Sequence, residues 1–361
     1  MRRVAVLAGC VLLAGCTQST AGGAGPDRLD PETLRVTGST PVTASGPLRL
    51  SPDGSRVLRL DELDLCVTAL DGSDERCAGP GVHADPRGAQ WSPDGSMIAF
   101  TEDFTRQGFD PDVWVFDLRT GKTRNLTDDG VAEASAGDIA PPSMIDMLPS
   151  WSPDGKSVRF ARGTPSKLES TDLMSVSVSD GKLTTVREVR CERPALTALA
   201  WSAELMAWTC GLRNAEVVAA DVAGERDEWT VLPGADEDRM LLSFSPEGRS
   251  LLVDSLESYS SVEPEGGRAK VVPVEGGTAR PVAEGEVAYP AWVPGSGAVA
   301  YVELPGTLKV APDPAGGEGS SPREVHAAGD LAGSDGTRLN WGEGSLLAFE
   351  DGRATLLKMS D

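Results

Sequence analysis

The chain has 361 residues, including 41 glycines and 26 prolines, and 40% of its residues are hydrophobic. This apolar content excludes a disordered chain. It predicts one large all-β domain or two ordinary domains, in which many turns separate short buried strands. The formal charge of −22 excludes a nucleic-acid-binding surface, because phosphate recognition needs clustered lysine and arginine.

The N-terminal stretch MRRVAVLAGCVLLAGC is typical of a bacterial export signal. Two arginines precede an apolar run that is too short to span a bilayer as a helix. The final LAGC resembles the lipobox, in which the cysteine is acylated and becomes the first mature residue. We expect a signal peptide at residues 1–15, acylation of Cys16, for example by palmitate, and an anchor on the extracytoplasmic face of the cell membrane. An ordinary signal peptide with an incidental cysteine is the alternative. Residues 16–33 are small and polar and are expected to form a flexible tether.

One turn sequence recurs along the rest of the chain. WSPDGSMIAF at residues 91–100 and WSPDGKSVRF at residues 151–160 share the same turn, and weaker copies precede and follow them. The copies begin at Leu50, Trp91, Trp151, Trp201, Phe244, Trp292 and Trp341. A period of some tens of residues is typical of a repeat fold.

Each copy predicts a four-stranded antiparallel meander. Proline and glycine favour the backbone of a tight turn, and the aspartate hydrogen-bonds its own backbone. In the second copy, the strand SMIAF is apolar at alternate positions, and DVWVFDL and TRNLT follow as the third and fourth strands. A single meander cannot bury both faces. We therefore expect the units to stack as blades around an axis, with the large aromatic residue of each copy wedged between blades.

The pattern WSPDG…IAF…DVWVFDLRTGKTRNLT resembles the TolB-type β-propeller repeat of bacterial envelope proteins, a relative of the WD-type repeats. The resemblance covers most of the chain and implies an all-β propeller at residues 34–361. It implies work in envelope assembly, transport or signalling but specifies no ligand, since propellers serve many roles. The copies predict seven blades, and six or eight remain open because the later copies are degenerate.

The segment TLRVTGSTPVT at residues 33–43 precedes the first copy, whereas the last copy has room for only three strands. We predict that this segment supplies the missing outer strand of the last blade. Closure of this kind removes a free sheet edge.

Four cysteines follow Cys16, and an even number in an exported chain favours disulfides. A two-residue turn within CVTALDGSDERC would place Cys66 opposite Cys77 at bonding distance. Cys191 and Cys210 are expected on one rim of the ring and form the second candidate pair. Buried free thiols are the alternative for both pairs.

The sequence contains no catalytic constellation. Its two histidines, His83 and His326, have no Gly-x-Ser-x-Gly elbow to supply a nucleophile. Phosphate-binding loops and metal-binding cysteine or histidine spacings are also missing, so we expect no cofactor and no metal. A calcium site at Asp110 and Asp112 would have too few oxygens. An aspartate before Val-Trp is common in the TolB-type repeat, so the resemblance implies a structural role for Asp112.

Acidic insertions in the second and third repeats are the best candidates for a binding surface. Residues 102–112 and 130–150 are expected on the rim opposite the Pro-Asp-Gly turns. Long loops on a rigid scaffold often carry binding. We predict a pocket or docking surface there, with solvated acidic loops as the alternative. Its candidate residues are Asp103, Arg106, Asp110, Asp138, Asp146 and Met147.

These features favour a non-catalytic, monomeric lipoprotein that binds an envelope protein or a glycan and no nucleic acid. The alternative is a glycan-active propeller enzyme, a lyase or hydrolase, that uses a pair of rim carboxylates. Two buried acids that face each other across a deep pocket would favour the enzyme, whereas scattered exposed acids would favour docking. A sensor domain that modulates a membrane regulator is a third interpretation.

Overall fold

The fold is a ring of seven antiparallel β-sheets, so the predicted all-β propeller with seven blades is confirmed. The computed structural model describes residues 28–361, except residues 62–63, 80–83, 85–87, 103–110, 131–143, 164–169, 192–195, 211–214, 235–239, 256–268, 286, 313, 315–320 and 335–337.

The chain enters the fold as β1 (Arg35–Pro41) and then builds the blades in order. Blade 1 contains β2 (Leu48–Leu50), β3 (Arg56–Asp61), β4 (Asp64–Ala69) and β5 (Arg76–Cys77). Blade 2 contains β6 (Gln90–Trp91), β7 (Met97–Thr101), β8 (Val113–Asp117) and β9 (Lys122–Asn125). Blade 3 contains β10 (Ile145–Trp151), β11 (Ser157–Gly163), β12 (Ser170–Ser177) and β13 (Leu183–Arg190).

The second half of the ring continues the pattern. Blade 4 contains β14 (Leu196–Trp201), β15 (Leu205–Cys210), β16 (Val217–Asp221) and β17 (Trp229–Leu232). Blade 5 contains β18 (Met240–Phe244), β19 (Ser250–Ser255), β20 (Lys270–Pro273) and β21 (Arg280–Pro281). Blade 6 contains β22 (Val287–Trp292), β23 (Val299–Glu303), β24 (Thr307–Ala311) and β25 (Arg323–Ala327). Blade 7 contains β26 (Leu331–Gly333), β27 (Asn340–Gly342), β28 (Ser345–Glu350) and β29 (Arg353–Ser360).

The N-terminal strand closes the ring, as the sequence predicted. β1 pairs antiparallel with β29, with Arg35 opposite Ser360 and Pro41 opposite Thr355. In the same blade β26 and β27 both pair with β28, so two short strands share the innermost position. Blade 7 also contacts blade 1 directly, because the amide of Leu48 donates to the carbonyl of Ser334 at 2.8 Å.

Buried apolar side chains form one cluster between each pair of neighbouring blades within the described ranges. Because successive side chains of a strand point to opposite faces of the sheet, each strand contributes to two clusters. Ile98 and Phe100 of β7 face blade 1, whereas Ala99 of the same strand faces blade 3. This arrangement explains why a lone meander would be unstable, since both of its faces are apolar.

The repeated turn joins the first and second strands of a blade. In the copy at residues 92–96, the amide of Gly95 donates to the carbonyl of Ser92 at 2.9 Å, and the Ser92 hydroxyl donates to Asp94 at 2.7 Å. Gly95 has a φ of 68°, which a residue with a side chain seldom adopts. The same bonds recur at residues 51–55 and 152–156.

The ring has two rims. The turn rim carries the turns between first and second strands, at residues 51–55, 92–96, 152–156, 202–204, 245–249, 293–297 and 343–344. The loop rim lies opposite, where second strands pass to third strands and one blade passes to the next; Glu102, Pro111, Asp146 and Asp351 belong to it.

Candidate functional site

A pocket of about 380 Å³ lies at the centre of the ring. Residues of the innermost strands β6, β10, β14 and β18 form most of its wall, and Arg338 contributes from the segment before β27. Glu102 and Pro111 line it where β7 ends and β8 begins, so the pocket reaches the loop rim. The larger apolar residues of the wall are Met147, Leu148, Pro149, Leu199, Trp201, Leu242 and Phe244.

Leu148 is the most unusual residue of this wall. Its φ of 56° lies in the left-handed region, which is uncommon for a residue with a bulky side chain. The pairing of β10 with β11 shifts between Met147 and Ser150, so Leu148 sits in a bulge, followed by Pro149, which has no amide hydrogen to pair. The bulge leaves Leu148 39% exposed on the pocket wall. Strained backbone of this kind clusters at binding and active sites, which makes Leu148 a candidate contact.

One acid and one cation, Glu102 and Arg338, are present among the described residues of the wall. Glu102 is 7% exposed and accepts a hydrogen bond from the amide of Asp112 at 3.2 Å. Arg338 donates to the carbonyl of Leu242 at 3.1 Å and so reaches from blade 7 to the innermost strand of blade 5. Within this part of the chain the pocket therefore lacks the two facing carboxylates that the glycan-active alternative requires.

Asp254 lies beside this cation at the end of β19. Its side chain is 3% exposed, and its Oδ1 atom has no hydrogen-bond partner among the described residues. Burial raises the pKa of Asp254 to about 6, although the positive charge of Arg338 acts in the opposite direction. The fold therefore favours the protonated form of this carboxyl group.

Asp146, one of the predicted rim residues, is fully buried. The Arg162 guanidinium donates two hydrogen bonds to it, from Nε at 2.7 Å and from a terminal nitrogen at 2.6 Å. Burial nevertheless raises the pKa of Asp146 to about 6. Its amide donates to the carbonyl of Pro111 at 2.9 Å. Asp146 thus fastens β10 to blade 2, and its carboxylate does not face solvent.

Asp112 has the structural role that the sequence suggests. Its carboxylate accepts hydrogen bonds from Asn125 at 2.7 Å and from Thr127 at 3.0 Å. Burial raises the pKa of Asp112, and the hydrogen bonds from Asn125 and Thr127 oppose that increase. The contacts join the start of β8 to the end of β9.

The other rim candidates have different outcomes. Met147 lines the pocket. Asp103, Arg106, Asp110 and Asp138 lie outside the described residues, so their roles remain predictions. The same holds for Cys16. Sequence reasoning missed Leu148, Arg338 and Asp254, and the one available signal was a proline inside a predicted innermost strand.

Both predicted disulfides are present. Cys66 of β4 faces Cys77 of β5 in the register of blade 1, with 4.1 Å between their Cα atoms. Cys191 and Cys210 are bonded at the loop rim of blade 4, with 5.3 Å between their Cα atoms. Structural disulfides favour an oxidising, extracytoplasmic compartment.

The remaining candidates for chemistry are few in the part of the chain that the structure describes. His326 of the outer strand β25 bonds Glu350 of β28 at 2.6 Å, and neither residue lines the pocket. His83 lies outside the described residues. Across the described ranges no cluster of three or more histidine, cysteine or acidic residues is arranged to hold a metal ion. No helix in those ranges is long and apolar enough to cross a membrane.

Similar proteins were found among solved structures only. No family model matches the chain, and no curated protein sequence matches it. The Dos1 propeller is 11% identical over 92% of this chain and 96% of its own, with a TM-score of 0.56, and this likeness concerns the fold.

Two TolB proteins are also similar. The putative TolB of Agrobacterium tumefaciens is 18% identical over 65% of this chain and 79% of its own, with a TM-score of 0.45. TolB of Acinetobacter baumannii is 15% identical over 77% of this chain, with a TM-score of 0.43, and the match spans 64% of that protein. The solved structures similar to this chain thus include TolB proteins, and the likeness to the Dos1 propeller agrees with its propeller fold.

Proposed function

We propose that this chain is a lipid-anchored, non-catalytic scaffold on the extracytoplasmic face of a bacterial membrane, and that it docks an envelope protein through the central pocket. The observation that carries the proposal is Leu148, a large apolar side chain that is 39% exposed on the pocket wall. An exposed apolar anchor within a concave site is typical of protein recognition.

The surroundings of Leu148 support a protein partner. Met147, Leu199 and Leu242 extend the apolar wall, while Glu102 and Arg338 add one charge of each sign. An apolar side chain of a partner would lose contact with water against this wall, and polar groups beside it would fix its orientation. The anchor is supported by the LAGC sequence before Cys16, and the extracytoplasmic location is supported by the two disulfides.

Site-specific photo-cross-linking in native membranes tests the docking site. A photoreactive residue at position 148 is expected to form a discrete cross-link to a protein. Leu183 is the matched control, because it is also 39% exposed in blade 3 but lies on the outer strand β13. Leu148→Asp should reduce partner binding about tenfold or more, since a buried leucine contributes about 1.5–3 kcal/mol. Equal cross-linking from both positions would refute docking at the pocket.

The anchor is tested separately by Cys16→Ser. This variant should lose its acyl chains by mass spectrometry. It should also leave the membrane fraction after an alkaline wash that releases proteins held only by a docked partner. Retention of Cys16→Ser in the washed membrane fraction would refute the lipid anchor and leave the docking proposal unaffected.

A further inference from the structure

The segment before β1 is fixed to the turn rim. Leu29 and Leu34 are 6% and 0% exposed in the apolar cluster between blades 6 and 7. The amide of Leu29 donates to the carbonyl of Pro294 at 3.4 Å, and the amide of Asp30 donates to Oδ1 of Asp361 at 2.7 Å. The segment is therefore held by apolar burial and by two hydrogen bonds to this edge of the ring.

Arg323 of β25 holds the same segment from outside. Its guanidinium donates to the carbonyls of Pro31 at 3.0 Å and Leu34 at 2.6 Å. Arg28, the first described residue, lies against Gly295, where an added Cβ would be 2.9 Å from the Arg28 Cα. Because Gly295 belongs to the turn between β22 and β23, the chain meets the ring at the turn rim.

The length of the preceding segment limits where an anchor can lie. Residues 17–27 separate Cys16 from Arg28. A fully extended chain of that length reaches about 40 Å, whereas a Gly-rich chain of that length has a root-mean-square span of about 20 Å. Strands such as β11 and β12, with 7 and 8 residues, give the ring a depth of about 23–26 Å. An anchor beside the loop rim would require the chain to run the whole depth of the flank, which is longer than its root-mean-square span of about 20 Å.

Charge on the turn rim opposes direct adhesion to lipid. Partial burial raises the pKa values of Asp53 and Asp94, but hydrogen bonds from neighbouring serines outweigh it and hold both below the ordinary value. Hydrogen bonds from the Ser152 hydroxyl and the Lys156 amide also lower the pKa of Asp154. These carboxylates stay ionised, and anionic headgroups repel them. A covalent tether, and not attraction to lipid, would keep this rim near the bilayer.

We propose that the anchored protein holds its turn rim toward the membrane surface and presents its loop rim, where the central pocket emerges, to the aqueous space of the envelope. This orientation rests on the proposed acylation of Cys16. The partner then approaches the pocket from the side away from the bilayer.

Energy transfer to a headgroup-labelled lipid tests this orientation. Glu343→Cys and Arg353→Cys place a donor dye on opposite rims of blade 7, at two exposed side chains. The full-length acylated variants are reconstituted into zwitterionic vesicles that carry the acceptor. The dye at position 343 should transfer about twofold or more efficiently than the dye at position 353, because their heights differ by about 25 Å.

The outcomes separate this proposal from the anchor. Equal or reversed efficiencies in vesicle-bound protein would overturn the orientation and leave the anchor intact. Failure of the acylated parent to sediment with vesicles, with Cys16→Ser as the reference, would overturn both. Insertion of about twenty glycine and serine residues before Arg28 should reduce the difference between the two dyes. An unchanged difference in transfer efficiency between the two dyes would show that the short tether does not set the orientation.

Discussion

At the residue scale, Asp254 is a buried carboxyl group that the fold makes a weaker acid than an exposed aspartate. Burial raises its pKa to about 6 from an ordinary value of 3.8. The folded state therefore binds this proton more tightly than the unfolded state does. The contribution of the group to stability is fully present below pH 4 and is lost as the pH rises through about 6.

Asp254→Asn should therefore stabilise the protein at alkaline pH. We expect its free energy of unfolding at pH 8 to exceed that of the parent by up to about 3 kcal/mol, because each unit of pKa shift corresponds to about 1.4 kcal/mol. The two proteins should converge near pH 4. Urea unfolding followed by circular dichroism at both pH values measures the difference.

Asp180→Asn is the control for this prediction. Asp180 is exposed in a turn, and a hydrogen bond from the Ser177 side chain lowers its pKa. Stability from this carboxylate is present above its unfolded pKa, so its loss should have the opposite sign at pH 8. A parent protein more stable than Asp254→Asn at pH 8 would instead show that Asp254 and Arg338 stabilise the fold as an ion pair.

Asp146 shows where residue-level prediction fails. It stands in an acidic insertion, and composition alone gives such a carboxylate a solvated position. Its burial depends on Arg162, which lies opposite it in the register of β10 and β11. A register of this kind becomes visible only when the bulge at Leu148 is known. The sequence therefore located the rim segment but not the role of this side chain.

At the scale of elements, tryptophans on the innermost strands bind neighbouring blades together. The Nε1 atoms of Trp91, Trp151 and Trp292 donate to carbonyls of the preceding blade, at distances of 3.2, 3.0 and 3.2 Å. The aromatic residue that was predicted to wedge between blades therefore also forms a hydrogen bond to the preceding blade. The accepting residues are Arg49, Gln90 and Ser243, each directly before the aromatic or leucine position of its own blade.

Two tryptophans on innermost strands depart from this pattern. In both cases the innermost strand of the preceding blade contains a bulge. The buried Nε1 atoms of Trp201 and Trp341 have no partner among the described residues. By analogy with the three bonded tryptophans, their acceptors would be the carbonyls of Ser150 and Ala291. Regular strand pairing resumes at these two residues after the register shifts in β10 and β22. Both shifts contain a residue with positive φ before a proline: Leu148 before Pro149 and Tyr289 before Pro290. The bulges therefore explain the missing bonds.

A pair of substitutions tests this explanation. Trp151→Phe removes a bonded indole donor, whereas Trp201→Phe removes one that has no partner. We expect Trp151→Phe to lower the free energy of unfolding by about 0.5–1.5 kcal/mol more than Trp201→Phe. Both changes remove the same volume, so each controls for the lost packing of the other. Equal losses in urea unfolding would show that the hydrogen bond contributes nothing to stability.

The elements themselves were only partly predictable. The Trp-Ser-Pro-Asp-Gly turns fixed the innermost and second strands of blades 2 and 3, because the turn dictates its own backbone. Prolines within LPSW and YPAW were the available sign of the two bulges, since proline inside a central strand demands an irregularity. The division of the innermost strand of blade 7 into β26 and β27 had a different sign, because the Asp-Gly dipeptide at residues 335–336 between them is typical of a turn.

At the scale of the whole molecule, closure joins the two ends of the described chain. The cluster between blades 6 and 7 contains Leu29 and Leu34 from the N-terminal segment beside Leu357 and Met359 from β29. β1 also covers the outer edge of β29, which would otherwise offer unpaired backbone groups to another chain. The N-terminal segment therefore contributes both apolar burial and protection of a sheet edge.

Two truncations separate closure from the segment before it. A chain that lacks residues 17–27 should unfold at the same urea concentration as the parent, because the contacts with the ring that the structure describes begin at Arg28. A chain that lacks residues 17–41 should lose several kcal/mol, since two buried leucines alone contribute about 3–6 kcal/mol. It should also show a higher mass than the parent by light scattering, because the β29 edge pairs with a second copy. An unchanged urea midpoint and mass in the longer truncation would mean that the ring holds together without its N-terminal strand.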